Sequence, residues 1–418
     1  MKRTFESLKY RNYKLFFTGQ IISQTGSWMQ RIAMGWFVLQ ITHSAFDVGV
    51  MAFASFLPFT LFGLFAGVIA DRMDARALVL GTQAGQLVTS AALAFIALGG
   101  FAKPWMLYTI GFATGLILVL DVPSRQQLTY RMVGREALPN AIALNTSLFN
   151  SSRIFGPSLA GPVYALTGAG WCFLINAISF FAVLLGLLAM RQREFFPLER
   201  FERPKFLAGT REGLSYVFHN RTMLTLLTLT FFLSTFAFNF NVTLPVLANT
   251  TLHEPVWVYS TLSALFGAGA LAGAHHTASR GRASLRVMLI GGALFTAAEL
   301  LLSPVHNAVL AGALLFVVGA GFTSWSANSN TSMQLAAPDH LRGRIIGLYF
   351  YAFNGSASVA GLMVGWLCAR GGTELAFFIA GVIGLAATFF AALQLRPAGV
   401  RRLLPALKQA AVVTTFRR

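Results

Sequence analysis

Twelve apolar stretches, each close to the length of a bilayer crossing, recur along this chain of 418 residues. They run over 15–41, 48–70, 78–99, 104–121, 141–166, 171–190, 222–249, 257–278, 287–302, 308–333, 345–368 and 375–395. A helix needs about 20 apolar residues to cross the hydrocarbon. Inside lipid every backbone polar group must find a partner within the protein, which leaves helices or a closed barrel. Stretches this long predict an all-α membrane protein with twelve transmembrane helices. Composition agrees: 56% of the residues are hydrophobic and 11% are charged, against about 25% charged in a soluble domain.

Lysine and arginine set the orientation, because they accumulate on the cytoplasmic side. The chain has 32 of them. With the N-terminus inside, 28 fall in the two tails and the alternate connections, and two, Lys103 and Arg370, fall outside. Both termini are therefore expected in the cytoplasm. This placement also accounts for the net charge of +18, so no nucleic-acid partner is expected. The basic opening residues precede an apolar run too long for a signal-peptide core, which reads as an uncleaved first span. Cys172 and Cys368 offer neither a disulfide framework nor a metal spacing and read as small packing residues. No metal and no cofactor are expected.

The longest charged connection, 191–221, divides the chain into an N-terminal six-helix half (1–190) and a C-terminal six-helix half (222–395), with a basic cytoplasmic tail at 396–418. At an offset of 204 the halves align Phe149 with Phe353, Asn150 with Asn354, Gly161 with Gly365 and Gly168 with Gly372. The match places a polar, glycine-rich helix fifth in each half.

Periodicity picks out polar stripes. Gln20, Gln24, Ser27 and Arg31 lie at i, i+4, i+7 and i+11, and Thr146, Asn150, Arg153 and Pro157 repeat that spacing. Asn354, Ser358, Gly361 and Gly365 do so again, while Ser324, Asn328 and Thr331 form a shorter stripe. The seventh span offers Ser234 and Asn241, with Pro245 beyond. A polar stripe in a spanning helix faces protein or a watery cavity rather than lipid. Trp28, Phe149 and Trp325 would supply aromatic walls. Arg31 and Arg153 are the two basic residues left inside spans. Either they hold an anionic group of a ligand, or they pair internally with Asp121 or with backbone carbonyls. Acids able to carry a proton are few. Asp121 ends the fourth span and is also within reach of Arg125; Glu299 lies in the ninth span and Asp47 opens the second. His275 and His276 sit at the inner end of the eighth span, where water reaches them.

The connection after the second span, "GVIADRMDARALVL" (67–80), resembles the signature of the major facilitator superfamily between helices two and three. Gly67, Asp71, Arg72 and Arg76 fall on its Gly, Asp, first Arg and last basic position, whereas Asp74 stands where the family has Gly. The resemblance implies that Gly67 allows a close helix approach and that Asp71 latches the inner face shut. In the fifth span, "RIFGPSLAGP" (153–162) resembles the antiporter motif of proton-coupled exporters through Gly156, Pro157 and Gly161, with Ala160 in place of one Gly. The stretches 26–44, 121–157 and 333–349 are similar to the branch containing macrolide-efflux proteins and the enterobactin exporter.

This resemblance implies two six-helix halves around a pseudo-two-fold axis along the membrane normal. It places helices one, two, four, five, seven, eight, ten and eleven around a central cavity. It implies a monomeric drug:proton antiporter in the bacterial inner membrane, surrounded by lipid, that exports a small amphiphilic or anionic molecule such as a drug, siderophore or metabolite. A proton-coupled importer or a lysophospholipid flippase on the same fold remains open. An enzyme is not expected, since the sequence has no HExxH, G-x-S-x-G or P-loop.

Overall fold

The computed structural model describes residues 5–197, 206–280, 283–338 and 341–395, apart from the side chains of Val68, Asp71 and 206–211. The described chain is helical, with no strand among these residues. The first group of helices is α1 (Arg11–Thr42), α2 (Ala45–Arg72), α3 (Ala75–Leu98), α4 (Pro104–Thr167) and α5 (Ala169–Leu188). A short helix α6 (Phe206–His219) follows. The second group is α7 (Arg221–Phe232), α8 (Phe240–Val246), α9 (Val256–Ser279), α10 (Leu285–Leu302), α11 (Ala308–Ala336), α12 (Arg342–Asn354) and α13 (Ala357–Gln394). The start of α1, with Arg11 and Lys14 and with Lys9 just before it, and the α2–α3 turn, with Arg72 and Arg76, lie at one end of the bundle, the basic end. The α1–α2 turn at His43–Ser44 lies at the other, the far end.

Among the described residues nine helical segments are long and apolar enough to cross a membrane. Two of them are double: α4 breaks at Gly134 and α13 breaks at Gly371–Gly372. Gly134 has φ 70, a left-handed conformation that costs a side-chain-bearing residue roughly 1–2 kcal/mol. The fourth span was expected to end at residue 121, yet its helix continues to Gly134. The reason is packing. Leu128, Met132, Val133 and Ala137 join Tyr13, Phe16, Val79 and Leu187 in a separate core at the basic end.

The seventh apolar stretch is not one regular helix. Between α7 and α8 lies a π-helical turn, Leu233–Ala237, and then a break at Phe238 and Asn239. Asn239 Nδ2 donates to the Thr235 carbonyl, 2.8 Å away. Pro245 lacks the N–H that would have bonded the Asn241 carbonyl. Irregular backbone at membrane depth is tolerated where it is buried or lines a cavity.

The two groups of helices meet from the midplane to the far end. There α2 crosses α13 where Gly49 faces Gly361 and Gly365, leaving no room for a Cβ on any of the three. The second limb of α4 crosses α9 in the equivalent way, with Gly161 against Trp257 and Ser260. The aligned pair Gly161 and Gly365 thus occupies matching crossings. Trp36 stacks on Tyr259 with ring centroids 5.9 Å apart. At the midplane, Thr60 Oγ1 donates to the Gly355 carbonyl at 2.7 Å, and Tyr351 donates to the Thr60 carbonyl at 3.1 Å. Toward the basic end the groups separate. Gly67 on α2 and Gly343 and Gly347 on α12 have open space where a side chain would stand. The expected close approach at Gly67 is therefore absent in this conformation.

Candidate functional site

Arg31, on α1, and Arg153, on the second limb of α4, converge on the same indole. The Arg31 guanidinium lies 4.5 Å from the Trp28 ring centroid and that of Arg153 lies 5.7 Å from it. Arg153 also reaches across to the second group of helices, 4.5 Å from Phe266 and 5.4 Å from Phe322. Ring faces stabilise a desolvated cation by about 2 kcal/mol. Among the described residues no carboxylate pairs with either arginine. Arg153 is 8% exposed, whereas the Arg31 side chain is open to solvent. A charged side chain at mid-helix is tolerated where it lines a watery cavity rather than lipid.

The wall continues from these residues toward the basic end. Phe149 packs edge-on against Trp28 at 5.6 Å and is 46% exposed. Thr146 and Asn241 are exposed, and Gln24, Ser27, Asn150 and Asn354 are half-buried. Asn241 and Asn354 share a small cavity with Phe238 and Phe353 beside the broken seventh stretch. Behind it, Phe238 stacks on Phe322 at 4.3 Å. Sequence periodicity missed Phe238, Phe266 and Phe322. A bulky apolar residue on a cavity wall carries the same signal as one facing lipid.

The antiporter-motif residues position this site. A Cβ on Gly156 would collide with the Trp28 side chain and the Thr25 carbonyl, so Gly156 lets α1 lie close enough to aim Trp28 between the two arginines. Pro157 is buried beside it.

Three residues expected on the cavity wall lie elsewhere. Trp325 is 0% exposed, enclosed by Phe295, Phe322 and Phe353. Asn328 is buried and ties helices together: its Oδ1 accepts from the Ser284 N–H at 2.9 Å, and its Nδ2 donates to the Ser324 carbonyl at 2.8 Å. Gln20 is buried too and accepts from Arg125 Nη1 at 2.6 Å. All three side chains meet protein rather than water.

Gln20 belongs to a buried polar network. Asp121 accepts from Thr82 Oγ1 at 2.6 Å, from Gln83 Nε2 at 2.9 Å and from Arg125 Nε at 2.5 Å. Arg125 bridges onward to Gln20, which accepts from Gln24 Nε2 at 3.2 Å. Asp121 is thus engaged by Arg125 rather than by Arg31 or Arg153. The polar stripe of α1 therefore runs from this ion pair to the cavity. Glu299 is buried on α10, and its Oε2 has no partner among the described residues.

Of the signature residues, the Asp71 side chain lies outside the described residues. Arg72 is exposed. Arg76 donates from Nε to the Leu187 carbonyl at 2.9 Å, in the last turn of α5, where carbonyls lack the i+4 helical donor. Asp74, which departs from the family pattern, has a double role. It caps α3 by accepting from the Ala77 N–H at 2.9 Å, and it pairs with Arg131 at 2.6 Å. Burial alone would raise its carboxyl. The Ala77 N–H and the Arg131 guanidinium outweigh that and hold it below the ordinary 3.8.

Comparisons with known proteins agree with this architecture. The sequence profile of the transmembrane secretion effector family matches residues 2–409. The staphyloferrin A transporter of Staphylococcus aureus is 30% identical over 42% of this chain and 44% of its own length. Macrolide efflux protein A of Streptococcus pyogenes is 23% identical over 52% of this chain and 55% of its own. The multidrug efflux pump Tap of Mycolicibacterium fortuitum is 26% identical over 88% of each chain. A solved POT family transporter in complex with 5-aminolevulinic acid superposes with a TM-score of 0.74 at 12% identity, covering 93% of this chain and 96% of that one. The chain belongs to the transmembrane secretion effector family of the major facilitator superfamily and is a multi-pass membrane transporter of small molecules rather than an enzyme.

Proposed function

We propose that the protein exports a small amphiphilic or anionic molecule across the bacterial cytoplasmic membrane in exchange for protons. In this reading the nine apolar segments, two of them divided at their glycine breaks, together with α1 make twelve crossings. They form two six-helix halves joined by a cytoplasmic connection at 191–221. The basic end is the cytoplasmic one, so the cavity opens inward and is closed outward by the Gly161 and Gly365 crossings. One chain supplies the whole pathway and works as a monomer. The observation that carries the reading is the pair of guanidinium groups on Trp28, without a carboxylate partner among the described residues, in a cavity walled by aromatic rings. Such a site attracts an anion by charge and an amphiphile by its apolar walls.

Asp121 is the acid best connected to that site. Protonating it would remove the charge that holds Arg125, and Arg125 is hydrogen-bonded to Gln20 on the helix that carries Arg31. Glu299 is the second candidate: it is buried, and its Oε2 meets no hydrogen-bond partner among the described residues. The test uses proteoliposomes with an imposed pH gradient and an amphiphilic carboxylate as the transported probe. Export by proton antiport predicts uphill accumulation of the probe on the acidic side and faster collapse of the gradient when probe is added. Accumulation on the alkaline side would establish an importer, and gradient-independent movement of a lysophospholipid would establish a flippase; either would overturn the proposal. Asp121→Asn should uncouple probe movement from the gradient, whereas Glu299→Gln should leave coupling intact.

A further inference from the structure

The corner between α9 and α10 carries basic side chains that the transport pathway does not use. A cavity of about 380 Å³ opens there between α9, α10 and α11, at the basic end. His276, Arg280 and Arg286 stand at its rim, Ile290 and Leu294 form its wall, and Ser324 lies at its base. Arg286, Ile290 and Leu294 are spaced i, i+4 and i+8, so they share one face of α10. That face changes from basic to apolar over eight residues, about 12 Å along the helix. Ile290 and Leu294 are each 50% exposed. None of the three basic residues pairs with a carboxylate among the described residues.

Hydrogen bonds tie the end of α9 and the start of α10 to α11. The Ser284 N–H donates to Asn328 Oδ1, and Ser284 Oγ accepts from the Val287 N–H at 3.3 Å. Asn328 Nδ2 also reaches Thr277 Oγ1 at 3.4 Å, which ties the end of α9 to α11. Arg280 and Arg286 both line the one opening.

We propose that this groove binds one anionic phospholipid from the leaflet at the basic end. Its phosphate sits between Arg280 and Arg286, with His276 beside it, and one acyl chain runs along Ile290 and Leu294. Charge complementarity selects the anionic headgroup, and the apolar half of the same helix face selects a ligand with a tail. A free phosphate would use only the rim. The site is separate from the central cavity and does not depend on which molecule is transported or in which direction.

Native mass spectrometry of the delipidated full-length protein tests this, using phosphatidylglycerol, phosphatidylethanolamine and glycerol phosphate as probes. The expected order of retention is phosphatidylglycerol first, phosphatidylethanolamine well behind, and glycerol phosphate not retained. Each arginine replaced, in Arg280→Gln and Arg286→Gln, should weaken phosphatidylglycerol retention about fivefold. Ile290→Trp should weaken it with the charges intact by filling the wall. The replaced side chains are exposed, so circular dichroism and the thermal midpoint should match wild type. Equal retention of phosphatidylglycerol by the double arginine variant and wild type would overturn the proposal. Displacement of the lipid by glycerol phosphate at equal concentration would overturn it as well, and would assign the rim to soluble phosphates.

Discussion

Arg31 and Arg153 share one indole but differ in surroundings: Arg31 is exposed and Arg153 is buried. Arg31 is solvated, so Arg31→Ala removes an anion contact without leaving a buried group stranded. A charge-assisted contact is worth about 1.5–3 kcal/mol, so the affinity for a carboxylate probe should fall roughly 10- to 100-fold with the amount of folded protein unchanged. Arg31→Lys should rescue only part of this, because an ammonium lacks the planar face that stacks on Trp28. Tryptophan fluorescence quenching by the probe measures both effects. Asp74 supplies a contrasting case. Its folded value lies below the ordinary 3.8, so the stabilisation from its pair with Arg131 is present above that value and is lost only as the pH falls through the lowered one. The pair stays charged across about pH 5 to 8. Asp74→Asn should therefore slow transport by an equal factor at every pH in that range. A shift in the pH profile itself would instead implicate Asp74 in proton transfer. Arg31 and Arg153 were legible in the sequence because a charge inside an apolar span stands out. In the sequence Asp74 shows only as a departure from the family pattern, because its partner Arg131 is 57 residues away, beyond the reach of any local spacing.

At the scale of helices, glycine crossings close the far end and side chains line the open one. Gly161 and Gly365 lie on matching helices of the two groups, against α9 and α2. Leucine at either place cannot fit without separating the helices. Gly161→Leu should hold the far end apart, so that a cysteine introduced at Gln40, near that end of α1, reacts faster with a membrane-impermeant thiol reagent from outside. Unchanged labelling would show that the crossing is not a gate. The internal match between 148–161 and 351–365 was readable as letters, and the physical reason for its glycines is this pair of crossings. The break in the seventh stretch was not readable. Its Asn239, Asn241 and Pro245 resemble ordinary polar punctuation, and the π turn between α7 and α8 depends on how Phe238 and Phe240 pack against helices distant in sequence.

At the scale of the whole molecule, the helices are joined from the midplane to the far end and open between Gly67 and the α12 glycines. Alternating access then requires the basic end to close, which would bring Gly67 and the start of α3 toward the opposite group. The helical class and the spans followed from apolar lengths and charge placement. The state of the cycle did not, because one sequence must satisfy both states. In the proposed function, the cavity between the two helix groups binds an anion through Arg31 and Arg153. The most direct measurement compares binding of an amphiphilic carboxylate with that of its methyl ester, by isothermal titration calorimetry on wild type, Arg31→Ala and Arg153→Ala. Wild type should prefer the acid by at least tenfold, and each variant should lose that preference. Equal affinity of wild type for acid and ester would contradict it.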